Sequence, residues 1–254
     1  LPFPFQVVLL EAVISGVGYA GATWVLLKSR WRIAPRIETV RDLLTLIITT
    51  SLATMLVAVA TIAVLSSAGL MRPERAIPAF WRFWIGDIIG ILVVLPFLLK
   101  VAADGNGPRV TSEPLAQLLA ILGTIAIMFA SPSGLRLPIS YILFLPIVWI
   151  AVRGGLARVA SGLVIMQIAL MIAIHITADD PANIASYQAL MVALSVSGLT
   201  IGVLTDERVR GERDLRRQQD AIARAARIGT LGEMATAVAH ELNQPLTAAA
   251  NYAR

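Results

Sequence analysis

The sequence predicts an all-α fold: a polytopic helical membrane bundle of about seven spans, followed by a polar helical segment. Three observations predict it. The 254 residues are 57% hydrophobic with a mean hydropathy of +0.77, and only 15% are charged, against about 25% in an ordinary soluble domain. The charges gather in short clusters, leaving apolar runs close to the ~20 helical residues that cross a hydrocarbon core. After Thr205 the pattern changes, and the last 49 residues hold seven of the sixteen acidic and eight of the twenty-one basic residues.

The first run, 5–27, ends at Lys28 and contains one acid, Glu11, near its outer end. Glu11 suits either an interfacial position or a signal-input site inside the membrane. Gly16 and Ala20 form a small-residue pair of the kind that lets helices approach closely in lipid. The second run, 43–69, lies between Asp42 and Arg72. The third, 81–100, carries Trp81, Trp84 and, in its outer quarter, Asp87. A carboxyl group there is expensive in lipid and is expected to face the bundle interior or water. It reads equally as a hydrogen bonder linking helices and as a ligand or proton site. The tryptophans fit an interfacial belt or an aromatic ligand cage.

The fourth run is 115–133. The fifth, 137–152, has only sixteen uncharged residues between Arg136 and Arg153 and contains Pro138 and Pro146, so it is expected to be tilted, broken or re-entrant. The sixth, 157–177, ends at His175 with Asp179 and Asp180 just beyond. Three such residues in a short loop read as a solvated turn, and no metal is expected. The seventh, 183–205, carries the small pair Gly198 and Gly202.

Basic residues set the expected topology. Lys28, Arg30, Arg32, Arg36 and Arg41, then Lys100 and Arg109, then Arg153 and Arg158 share alternate loops. The opposite loops carry Arg72, Arg75 and Arg82, then Arg136. The positive-inside rule makes the first set cytoplasmic, which also puts the polar C-terminal segment on the side where ATP is found. The absence of cysteine excludes disulfides and thiolate metal sites. The opening at Leu1 lacks a basic start and a small-residue cleavage site, and native residues are expected to precede it.

Residues 206–227 mix both charge signs without proline, with apolar positions at Val209, Leu215 and Ile222. That suits a parallel dimeric coiled coil or a solvated helical linker. Gly229 and Gly232 bracket the passage into the next helix. Beyond them Leu231, Met234, Val238, Leu242 and Pro245 recur at helical spacing. His240 lies about 200° around the wheel from that stripe, so its imidazole points outward. A neutral imidazole nitrogen is a competent nucleophile toward the γ-phosphate of ATP. Glu241 is placed to hold its tautomer or accept its proton, and Asn243 and Gln244, one turn on, to orient a phosphate or a water. Pro245 is expected to bend the helix. No Walker-type phosphate loop occurs, so the chain is expected to be less than a whole kinase.

The string IGTLGEMATAVAHELNQPLTAAANYAR, 228–254, closely resembles the dimerisation and phosphotransfer helix of sensor histidine kinases, with His-Glu-Leu-Asn-Gln-Pro-Leu as the H-box. The resemblance implies that His240 is the phosphoacceptor, that Glu241 assists transfer, and that two subunits pair into a four-helix bundle. It implies ATP and Mg used by a catalytic domain outside this chain, no cofactor bound by the chain itself, and a response regulator as partner. In many family members the residue three after the acidic one is Thr or Asn and supports phosphatase activity; here it is Gln244. The sequence Phe83-Trp84-Ile85-Gly86-Asp87-Ile88-Ile89-Gly90, followed by Pro96, resembles the Trp-x-x-Asp-x-x-Gly…Pro signature of MASE1, a bacterial integral-membrane sensor domain. Members usually have about eight spans, which implies a span missing here.

The resulting expectation is a MASE1-like sensor at 1–205, a signalling helix at 206–227 and the first part of a phosphotransfer domain at 228–254. The protein would sit in the bacterial inner membrane with a cytoplasmic C-terminus, respond to an unidentified stimulus and bind no nucleic acid. The competing class is an ion- or solute-coupled transporter that uses Asp87 and Glu11.

Overall fold

The computed structural model describes the backbone of residues 5–29, 37–104, 112–177 and 183–252 and, with few exceptions, side chains only as far as residue 228. All regular structure among the described residues is helical. α1 (Phe5–Ser29) and α2 (Val40–Ser67) coincide with the first two apolar runs. A capping box starts α2: the Thr39 hydroxyl accepts the Asp42 N–H at 3.2 Å, and the Asp42 carboxylate accepts the Thr39 N–H at 2.9 Å. Each bond satisfies a donor that a helix start leaves orphaned.

α3 (Pro73–Asp104) begins eight residues before the expected boundary at 81. Proline is well suited to the first helical position, where its missing N–H costs nothing. The added turns precede the apolar run, and Asp87 is the fifteenth residue of the 32-residue helix. α4 (Ser112–Ala130) follows. The expected break in the fifth run is present. α5 (Ser133–Ile139) stops just after Pro138, a 3₁₀ turn covers Ser140–Leu143, and α6 (Phe144–Ile176) resumes with Pro146 in its first turn, where no intrahelical donor is needed.

Among the described residues six helices are long and apolar enough to cross a membrane, one of them the 43-residue stretch Gly134–Ile176. Straight, that stretch would measure about 65 Å, twice a hydrocarbon core of about 30 Å. It is not straight. Gly155 has φ 63° and ψ −163°, and the Ile150 side chain lies 3.0 Å from where a Cβ on Gly162 would stand. Twelve residues of straight helix would separate those positions by about 18 Å. The chain therefore reverses at Gly155, and the stretches 134–154 and 156–176 are separate passages. Counted this way the described residues hold seven passages, as read from the sequence.

α7 (Ile184–Tyr252) is built into the bundle at its start. Tyr187, Leu190, Leu194, Ser195, Leu199 and Val203 are buried along one stripe. Gly198 faces Ile147 and Val159, one on each arm of α6, and Gly202 faces Val159 and the backbone of Leu156, so this small pair does what the sequence suggested. Gln167 of α6 donates to the Ser195 hydroxyl and the Met191 carbonyl, both at 3.1 Å. The other suggested pair does not pack. A Cβ on Gly16 would meet nothing within 4 Å, and Ala20 is exposed. The inward stripe of α1 runs through Val7, Gly18 and Leu26, and it is a Cβ on Gly18 that would overlap Val57 of α2.

Two compact units divide the chain, Leu1–Glu207 and Arg208–Arg254. The helical backbone of α7 continues through Gly211, Gly229, Gly232 and Pro245, so the expected passage between two helices at Gly229 and Gly232 is not a break. Each glycine costs about 1 kcal/mol in a helix interior, and neighbouring Ala, Arg, Leu, Glu and Met are among the best helix formers.

Candidate functional site

Asp87 sits on the inward side of α3, half-buried, and accepts a hydrogen bond from the Tyr19 hydroxyl of α1 at 2.5 Å. Tyr19 is the fifteenth of the 25 residues of α1, so both partners lie near the middle of their helices. A carboxyl group inside an apolar span needs a donor or water, and the phenol supplies one. No cation lies within ion-pairing distance of Asp87 among the described residues.

One turn before Asp87, Trp84 is half-buried and its indole N–H donates to the Ser51 carbonyl of α2 at 3.0 Å. That carbonyl also accepts from the Thr54 hydroxyl at 3.2 Å. The Trp84 ring stacks on Phe80 at 5.9 Å between centroids and tilts against Trp81 at 5.2 Å. Trp81 is exposed, as a belt residue would be. Trp84 instead uses its one polar atom to fasten α3 to α2. Asp87 and Trp84 thus join three helices at adjacent turns.

A fourth helix meets the cluster. Gln188 of α7 donates to the Arg82 carbonyl at 3.4 Å, and its Nε2 lies 3.8 Å from the position a Cβ on Gly86 would take. The Oε1 of Gln188 is buried and has no hydrogen-bond partner among the described residues. Gly90 has nothing within 4 Å of its Cβ position, so no steric demand accounts for a glycine there. Glu11 lies on the inward stripe of α1, two turns before Tyr19, half-buried and without a hydrogen-bond or ion-pair partner among the described residues. The structure does not bring it to Asp87, since eight residues of helix separate Glu11 from Tyr19 by about 12 Å.

Sequence reasoning found Asp87 and Trp84 but not Tyr19, Ser51 or Gln188. A tyrosine in an apolar run was a signal within reach, because a buried phenol usually finds a partner. A backbone carbonyl such as that of Ser51 gives no sequence signal. His175 is exposed at the end of α6, while Asp179 and Asp180 lie outside the described residues. Among the described residues no three His, Asp or Glu side chains gather as metal ligands would. The backbone of His240, Glu241, Asn243 and Gln244 is helical, and their side chains lie outside the described residues.

The helix ends sort into two groups. At one, Arg158 pairs with Glu113 at 3.1 Å, the Leu156 N–H meets Asp206 at 3.0 Å, and the Val40 N–H meets Glu207 at 2.9 Å. At the other, Gln188 meets Arg82, the Phe129 and Tyr187 rings lie 6.4 Å apart, and the Arg136 guanidinium sits 5.3 Å from the Phe129 centroid. These are the two sets of ends that the alternating basic loops define.

The MASE1 family pattern matches residues 9–208. The chain is also similar to the C4-dicarboxylate transport sensor protein DctS of Rhodobacter capsulatus, 60% identical over 38 residues, which are 15% of this chain and 6% of that protein. It is similar to the C4-dicarboxylate transport sensor protein DctB of Pseudomonas aeruginosa, 45% identical over 47 residues, 18% of this chain and 8% of that protein. The chain thus spans under a tenth of the length of these curated relatives. No solved structure matches.

Proposed function

The chain belongs to the MASE1 family of membrane sensor domains, and from that premise we propose that it is the input part of a sensor histidine kinase. A stimulus acting on the bundle changes how α7 is held. The change passes along α7 to His240, which accepts a phosphoryl group from ATP and donates it to an aspartate of a response regulator. The observation that carries this reading is α7 itself: one helix both lines the interior of a MASE1 bundle and includes the His-Glu-Leu-Asn-Gln-Pro-Leu string. The similarity to two named sensor proteins supports it.

The roles divide by chemistry. His240 is the nucleophile, and Glu241 holds its tautomer or takes its proton, a role worth about 10²–10⁴-fold in rate. Asn243 and Gln244 orient the phosphate. ATP and Mg are bound by a catalytic domain beyond this chain, and two copies pair through residues 206–254. The end bearing Asp206 faces the bacterial cytoplasm across the inner membrane. Asp87, with Tyr19 and Trp84, is the input point: a proton or a polar ligand taken up by the Asp87 carboxylate alters its bond to Tyr19 and so the link between α1 and α3. Among the described residues of α1 only Val7 and Leu26 are buried apolar side chains, and the helix is held mainly against α2, where Gly18 meets Val57.

The test joins an ATP-binding domain in cis and follows transfer from labelled ATP. Acid-labile, base-stable label on the protein, abolished by His240→Gln with membrane insertion intact, is the expected result. Label that persists in His240→Gln removes the assignment.

A further inference from the structure

Asp206 and Glu207 are consecutive residues at the end of the membrane unit, and each caps the start of a different helix. The Asp206 carboxylate accepts the N–H of Leu156, the first helical residue after the reversal in α6, at 3.0 Å. The Glu207 carboxylate accepts the N–H of Val40, the first residue of α2, at 2.9 Å. These segments are 50 and 167 residues away in sequence. Both acceptors are half-buried and face helix N-termini, where the aligned peptide dipoles favour a negative charge.

The surroundings are shaped to admit them. Gly155 adopts φ 63°, and a Cβ there would overlap the Asp206 carboxylate. One turn before Asp206, Gly202 lets α7 approach the backbone of Leu156 until a Cβ would stand 3.0 Å from its N and Cα. Successive residues on a helix point about 100° apart, so the two carboxylates reach in different directions from one turn of α7.

We propose that Asp206 and Glu207 form a two-pronged clasp that fixes the rotation of α7 against the bundle, and that releasing the clasp is the step by which the membrane domain changes its output. A carboxylate oxygen on a helix stands roughly 5–6 Å from the axis, so turning α7 by about 30° carries it ~3 Å, enough to break a hydrogen bond of ordinary length. The clasp is therefore closed in one rotational state of α7 and open in its neighbours. Its effect on phosphorylation rests on the histidine-kinase reading above; its mechanical part does not.

The experiment reads the two parts separately. The chain has no cysteine, so spin labels can be placed at positions 41 and 204, both exposed and on α2 and α7, and His240 labelling is measured in the same protein joined to an ATP-binding domain. The unsubstituted clasp should give a narrow distance distribution. Asp206→Ala with Glu207→Ala should at least double its width and change the phosphorylation level at least fivefold, while Asp206→Asn with Glu207→Gln, which keep an acceptor oxygen, stay near the parent. An unchanged distance distribution in the alanine pair overturns the clasp. A broadened distribution with parental phosphorylation overturns its role in output. If His240 takes no label even in the parent, the kinase reading fails and the distances still judge the clasp. Should the alanine pair not fold, the single alanine substitutions, each leaving one prong, are read in the same way.

Discussion

Gly155→Ala offers the sharpest energetic test of the bundle. At φ 63° and ψ −163° the residue occupies a region open in practice only to glycine, and an L residue forced there costs about 1–3 kcal/mol. The new methyl group would also displace the Asp206 carboxylate, leaving the Leu156 N–H uncapped at about 1 kcal/mol, with a range of roughly 0.5–2. Together these give a loss of about 1.5–5 kcal/mol. Unfolding by SDS titration in mixed micelles, followed by the fluorescence of the five tryptophans, measures it. The same substitution in an Asp206→Ala background should cost about 1 kcal/mol less, because the cap is already gone. Gly90→Ala is the control: with open space at its Cβ and a helical backbone, it should gain about 0.5–1 kcal/mol. A loss below about 0.5 kcal/mol for Gly155→Ala, or equal losses in both backgrounds, would refute the reasoning.

Gly18→Leu should weaken the α1 to α2 packing by about 1–3 kcal/mol through overpacking against Val57, whereas Gly16→Leu, on the open face, should stay within about 0.5 kcal/mol of the parent in the same titration. Tyr19→Phe and Asp87→Leu should each lose about 0.6–1.7 kcal/mol, the range for a hydrogen bond between membrane helices, and the double substitution should lose less than their sum; strict additivity would show that the Tyr19 to Asp87 bond does not form. Asp87→Asn keeps the acceptor and should match the parent in stability, and if Asp87 is the input point its phosphorylation level should no longer respond to conditions that change the parent's.

How much of this was legible in the sequence follows from the range of each signal. The spans were legible because Lys28, Asp42, Arg72, Lys100, Arg136 and Arg153 bound the apolar runs, and burial of charge in lipid is costly enough to fix ends within a few residues. The start of α2 was legible in principle from Thr39-x-x-Asp42, a local capping signal. The early start of α3 was not, because Pro73 to Phe80 is too polar to register as a span yet forms helix readily. Small-residue pairs at i, i+4 mark close packing only on the face that meets a neighbour. Gly198 and Gly202 lie on that face and Gly16 does not, a difference set by tertiary contacts of α1. The bonds from Tyr19 to Asp87, Trp84 to Ser51 and Asp206 to Leu156 join residues 33 to 68 positions apart, and no spacing rule connects them.

The reversal in α6 has a consequence for how this region can vary in length. Its two arms are joined at one non-helical residue, so the count of residues across the tip is also an angular setting. Adding or removing one residue after Gly155 would rotate the second arm by about 100° relative to its present neighbours, turning Val159 and Leu163 away from Gly198. An ordinary surface loop absorbs such a change in slack. Here the junction works as an indexed gear tooth: the arms can be recut in sequence, but the number of positions between Ile150 and Gly162 is part of the fold.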